Sequence, residues 1–215
     1  MGNSKKTKIE TIFSAVKTLP YFSLDDLASL EKNKVYLKIL LSRYEKSGKA
    51  IRLKKGIYAA KDYIDGLEKS DKISAYLEFL AGVLYSPSYL SLDYILYKHN
   101  ILTEMPVNFT AVTKKKTASF SNILGNFFYH KIKDELFSGY ETKKEGDFVI
   151  FRATKDKALF DWLYLRKNSI VNKEAAKELR LNLFSFSAKD KKELAKYIKM
   201  EGSVKMKEIY HYLFS

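Results

Sequence analysis

Leu24-Asp25-Asp26-Leu27, then Lys34-Val35-Tyr36-Leu37-Lys38-Ile39-Leu40-Leu41-Ser42-Arg43-Tyr44-Glu45-Lys46-Ser47, then Ala50-Ile51-Arg52-Leu53-Lys54-Lys55-Gly56-Ile57-Tyr58-Ala59: this stretch decides the reading of the chain. Ser23 followed three residues later by Asp26 is a capping pattern that starts a helix. A second helix follows Asn33 and is stopped by Gly48. Two β-like segments then flank Lys54-Lys55-Gly56, where glycine supplies the positive φ that a tight hairpin tip requires.

The second helix has two unlike faces. Leu37, Leu40, Leu41 and Tyr44 fall at i, i+3, i+4 and i+7 and form one apolar stripe. The opposite face carries Lys38, Ser42, Arg43 and Lys46, with Val35 and Ile39 between them and Lys34 at the edge. Basic groups that neutralise phosphates or donate to base edges, mixed with hydroxyl and small apolar groups, are what a major groove demands. Arg52, Lys54 and Lys55 occupy the hairpin that would touch the backbone or a minor groove. A further helix over 8–17 places Ile9, Ile12, Phe13 and Val16 on one side. The order is the plan of a winged helix-turn-helix. Its expected DNA-binding set is Lys34, Val35, Lys38, Ser42, Arg43, Lys46, Arg52, Lys54 and Lys55, and its expected partner is double-stranded DNA.

Charge supports this reading. Residues 31–61 hold ten basic residues and two acids, a net +8 within a chain of 215 residues whose formal net charge is +14. A field so concentrated favours polyanions. The same basic face could instead meet an acidic protein partner, which would make the module an interaction adaptor.

The remainder reads as α+β: a small, mostly antiparallel sheet flanked by helices. Ile73, Leu77, Leu80 and Leu84 mark a helix broken at Ser86-Pro87-Ser88, and a short helix follows over 90–98. Strands are expected over 107–113, 118–121, 126–131 and 148–151, with Lys114-Lys115-Lys116 as a hairpin tip. Thr154 caps a helix with Ala158, Leu159, Trp162 and Leu163 on its buried side. Three more helices are expected over 173–180, 188–199 and 204–214. Asp62 to Gly66 reads as a connector, dividing the chain into domains 1–65 and 66–215. The second domain is expected to scatter its charge over many helix faces.

Signals for catalysis are poor. His99, His130 and His211 lack ligand spacing, there is no cysteine, and no glycine-rich phosphate loop occurs. No cofactor, metal or catalytic residue is expected, and the chain reads as a non-enzyme. Asp134 with Glu141-Thr142-Lys143 resembles the carboxylate–lysine metal site of restriction-type nucleases. That set defines the alternative of a metal-dependent nuclease docked by the winged helix. Its polar setting between Gly139 and Gly146 favours a solvated turn. Asp156 is expected to serve a helix N-terminus. Met1-Gly2-Asn3-Ser4-Lys5-Lys6 lacks the apolar run of a signal peptide, and Lys6 stands where myristoylation needs a hydroxyl. No stretch reaches the length of a membrane span. A cytoplasmic location without membrane partners is expected.

Three stretches carry a family resemblance. They are Arg52-Leu53-Lys54-Lys55-Gly56-Ile57-Tyr58-Ala59; Pro87-Ser88-Tyr89-Leu90-Ser91-Leu92 running on to His99; and Phe128-Tyr129-His130-Lys131-Ile132, Phe137-Ser138-Gly139-Tyr140, then Ala153-Thr154-Lys155-Asp156-Lys157-Ala158-Leu159-Phe160-Asp161. Over about residues 8–166 the chain resembles the AbiEi-type antitoxins, transcriptional regulators of type IV toxin-antitoxin (abortive infection) systems. Asp156 stands where that family usually has Glu. The resemblance implies an N-terminal domain that represses its own operon. It also implies a C-terminal domain that counters a partner toxin resembling nucleotidyltransferases. The motif residues of the second domain would then keep the fold, with Leu159 and Trp162 in its core.

Overall fold

In the computed structural model residues 8–214 are described, with side chains from residue 11 onward. The N-terminal segment read above and the side chain of Ile9 lie outside them. The protein is α+β, with two sheets, one of three strands and one of six. The described residues divide into two compact units, one of residues 8–77 with 121–124, the other of residues 78–120 with 125–214.

The first unit begins with α1 (Lys8–Val16), β1 (Phe22–Ser23) and α2 (Leu24–Leu27). The capping box at Ser23 is complete. Its hydroxyl accepts from the Asp26 N–H, and the Asp26 carboxylate accepts from the Ser23 N–H at 2.7 Å. α2 is a single turn. α3 (Lys34–Lys46) follows, then β2 (Ala50–Lys54), β3 (Ile57–Ala60) and α4 (Lys61–Lys69). β3 pairs antiparallel with both β1 and β2 and lies between them. Ile12, Val16, Phe22, Leu27, Leu37, Leu40 and Leu41 form the buried core. Asp62 to Gly66, expected to be a connector, lies inside α4. The amphipathic period of Ile64 and Leu67, both buried, outweighs the helix-weakening Gly66.

The second unit takes in most of α5 (Ile73–Leu84), then β4 (Ser88–Leu90), α6 (Leu92–Lys98), β5 (Phe109–Thr113), most of β6 (Ala118–Asn122) and β7 (Gly125–Lys131). After a 3-10 turn over Asp134–Leu136 come β8 (Tyr140–Glu145), β9 (Phe148–Ala153), α7 (Lys155–Arg166), α8 (Lys173–Glu178), α9 (Ala188–Glu201) and α10 (Val204–Phe214). The six-stranded order is β6-β7-β5-β4-β9-β8. The sheet is mixed rather than mostly antiparallel. β5 pairs parallel with β7 and β4 parallel with β9, while β4/β5 and β8/β9 are antiparallel. Lys114 to Lys116 is therefore no hairpin tip, because β7 lies between β5 and β6. β4 sits in the middle of the sheet where a helix break was read. Three buried residues in a row give no alternation to recognise.

Asp161, on α7, is the polar centre of this unit. Its carboxylate is fully buried and paired with the buried Lys157 ammonium one turn earlier. It also accepts from the Tyr89 hydroxyl at 3.0 Å and the Ser91 hydroxyl at 2.8 Å. Burial pushes the Asp161 carboxyl pKa up and the Lys157 ammonium pKa down, and the pairing opposes both shifts. Burial and the neighbouring carboxylate keep the Tyr89 hydroxyl protonated. The Lys157 ammonium lies 4.7 Å from the Phe160 ring centroid and 5.3 Å from that of Tyr197 on α9. Gly139 closes the cluster. Its φ is +72°, and a Cβ there would fall 2.2 Å from the Tyr197 hydroxyl.

Removing one member of a buried ion pair strands the other charge, at about 3–5 kcal/mol. Asp161→Leu is therefore expected to destabilise the protein by about that amount in denaturant unfolding, and Lys157→Met with Asp161→Leu to recover most of it. A double variant no more stable than Asp161→Leu would contradict the pairing as the source of the loss.

Candidate nucleic-acid interface

α3 is built as its sequence period requires. Asn33 caps it, its side-chain oxygen accepting from the Tyr36 N–H at 3.0 Å. Leu37, Leu40 and Leu41 are buried, and Tyr44 stacks on Phe13 of α1 with ring centroids 4.0 Å apart. The last turn closes on the Ser47 N–H to Arg43 carbonyl bond, and Gly48 at φ +71° ends the helix.

The outward side of α3 is where the expected residues lie. Lys34, Val35, Lys38, Ser42, Arg43 and Lys46 are all exposed. Val35 is 67% and Ile39 49% exposed, so two branched apolar side chains stand in water among cations. Lys34 lies 3.2 Å from Asp25, an exposed pair that water and salt screen heavily.

The β2–β3 hairpin alternates as a half-buried strand should. Ile51 and Leu53 are buried and Arg52 is exposed. Its register shifts between Arg52 and Lys54, and Gly56 takes φ +84° at the tip. Lys55 is exposed, whereas Lys54 is half-buried. The Lys49 N–H donates to the Tyr44 carbonyl at 2.9 Å, tying the start of the hairpin to the end of α3. Lys49 itself was not singled out from the sequence as a site residue. Its ammonium lies 5.5 Å from the Tyr44 ring centroid, beside a hollow of about 290 Å³ that Phe13, Lys17 and Asp62 also line.

The carboxylate–lysine set of the second unit is placed differently from its reading. Glu141 and Lys143 lie on β8, an edge strand, and not in a turn; alternating hydrophobicity is missing because both faces of that strand are exposed. They pair with each other at 2.7 Å. Asp134 lies in the 3-10 turn. Among the described residues no group of three or more His, Asp or Glu side chains could hold a metal ion. Both residues border a cleft of about 550 Å³, where Lys155 and Asp190 also pair at 2.7 Å. Its charges are thus largely satisfied by one another. His99, His130 and His211 lie on three different elements, at the end of α6, on β7 and on α10.

No model of a known protein family matches the chain, and no curated protein matches it.

The two faces of α3 should separate cleanly in stability. Leu41→Ala is expected to cost about 2–5 kcal/mol. Ile39→Ser should stay within about 0.5 kcal/mol, as befits an exposed position. Chemical unfolding of the two variants measures both, and a larger loss for Ile39→Ser would place that residue in the core.

Proposed function

We propose that the protein is a sequence-specific DNA-binding repressor, that its first unit is a winged helix-turn-helix with α3 as the reading helix, and that it acts as an AbiEi-type antitoxin. The observation that carries the DNA reading is the outward face of α3. It combines exposed Lys38, Ser42, Arg43 and Lys46 with exposed Val35 and Ile39. Exposed apolar side chains occur elsewhere in the protein, but here two branched ones share a single helix face with three cations and a hydroxyl. A face that enters a major groove uses the cations on phosphates and guanines and the apolar groups on thymine methyls. The hairpin supports the same reading, since Arg52 and Lys55 are exposed on an element tied to the end of α3.

The antitoxin part rests on the resemblance of the motif stretches. In this reading the first unit represses the operon that encodes the protein. The second unit counters a toxin resembling nucleotidyltransferases, and the chain is not itself an enzyme. It works in the cytoplasm. No helix among the described residues is long and apolar enough to cross a membrane.

Lys38→Ala with Arg43→Ala is expected to abolish specific binding to the region upstream of the protein's own gene, without unfolding the chain. Each lost base contact should cost about 1–3 kcal/mol. Operator affinity that survives both changes in a gel-shift assay would remove α3 from the interface. In the hairpin, Lys55→Ala should weaken binding to all sequences alike and flatten the log–log salt slope by about one unit. Lys54→Ala should do less, because that side chain is half-buried. An altered sequence preference at an unchanged salt slope would speak against a phosphate contact.

A further inference from the structure

The charge of the second unit lies partly on its helices and partly in one cluster at its sheet. Residues 78–120 with 125–215 carry 23 basic and 16 acidic residues, a net +7. Residues 113–133 alone contain five lysines and no acid. The topology gathers these five. β5 and β7 are parallel neighbours in register, Thr113 opposite Lys131, so both strands end at the same edge of the sheet. Lys114, Lys115 and Lys116 leave β5 there, beside Lys131 and Lys133. All five are exposed. The Ile132 N–H donates to the Thr113 carbonyl at 3.0 Å and the Lys131 N–H to the Thr117 hydroxyl at 3.2 Å, so the two segments are stitched together.

Aromatic rings lie beside two of these lysines. The Lys114 ammonium lies 5.3 Å from the Phe137 ring centroid and that of Lys115 lies 5.3 Å from Tyr85. The Tyr85 hydroxyl donates to the Lys116 carbonyl at 3.0 Å. Tyr140, 39% exposed, stands 5.5 Å from Phe137. The nearest acids in sequence, Asp134 and Glu135, follow in the 3-10 turn, and Glu135 lies 4.0 Å from Lys133. Among the described residues, Lys114, Lys115, Lys116 and Lys131 make no ion pair. Like charges fixed together without counter-charge work against the fold. The field of such a cluster favours an external polyanion.

We propose that this edge of the sheet binds a single-stranded phosphodiester chain. The lysines would meet successive phosphates, and the half-exposed rings of Tyr85, Phe137 and Tyr140 would offer faces to unstacked bases. A duplex is the poorer fit. Its bases are already stacked, and the patch offers neither a helix nor a two-stranded ribbon to enter a groove.

The test uses the full chain carrying Lys38→Ala and Arg43→Ala, which silences α3 as a reading helix and separates this site from the function proposed above. Fluorescence anisotropy at low salt would compare oligouridylate, oligothymidylate and a mixed-sequence duplex, each of about 20 units. Both single strands, or one of them, should bind at least tenfold tighter than the duplex. The tighter of the two identifies RNA or single-stranded DNA as the source. Adding Lys114→Gln, Lys115→Gln and Lys131→Gln should weaken single-strand binding at least tenfold and lower the salt slope by about two, at about 0.7 per phosphate. The thermal transition should stay in place or rise, and Lys→Glu at the same positions should abolish binding. Duplex binding as tight as single-strand binding, or affinity unchanged by the lysine changes, would overturn the proposal.

Discussion

A carboxylate inside a protein must be surrounded by donors or it will not stay there. Asp161 meets that demand with one cation and two hydroxyls, and each donor comes with a structural obligation. Tyr89 and Ser91 can reach it only if the short β4 lies in the middle of the sheet beneath α7. Lys157 can reach it only from one turn earlier on α7. The rings around the ammonium then bring in α9 through Tyr197, whose hydroxyl leaves no room for a side chain at residue 139. One buried charge thus fixes the mutual arrangement of β4, α7, α9 and the approach to β8.

Several members of this network lie in the motif stretches of the sequence. Tyr89 and Ser91 belong to the second stretch, Gly139, Lys157 and Asp161 to the third. Sequence spacing carries no hint that these positions meet, since about seventy residues separate Ser91 from Asp161. Their roles here are in keeping the fold. Function has to be argued from the exposed residues instead, and the densest set of these in the first unit is on α3 and the β2–β3 hairpin.

Local patterns in the sequence were enough for the amphipathic helices. Period and capping located α3, α7, α9 and α10, because each of those signals lies within one turn or one face of the element it describes. Strand order was another matter. Lys114 to Lys116 looked like a hairpin because neighbouring strands usually pair, and nothing local reveals that β7 slips between β5 and β6. Charge followed the same division. The basic face of α3 could be read from one helical period, whereas the lysine edge of the sheet depends on the parallel pairing of Thr113 with Lys131. Edge strand β8 was lost for want of a buried face. Lys54 passed for an exposed tip residue because a register shift is invisible to spacing.

The central claim is that the outward face of α3 lies against DNA bases. The most direct measurement places a photo-crosslinking amino acid at Ile39, an exposed position at the middle of that face, in an otherwise unaltered chain. Irradiation with duplex DNA from upstream of the protein's own gene should yield one crosslinked segment of defined sequence, competed away by unlabelled specific duplex and not by random duplex. Crosslinks spread evenly over the DNA, or none while the complex is intact, would contradict it.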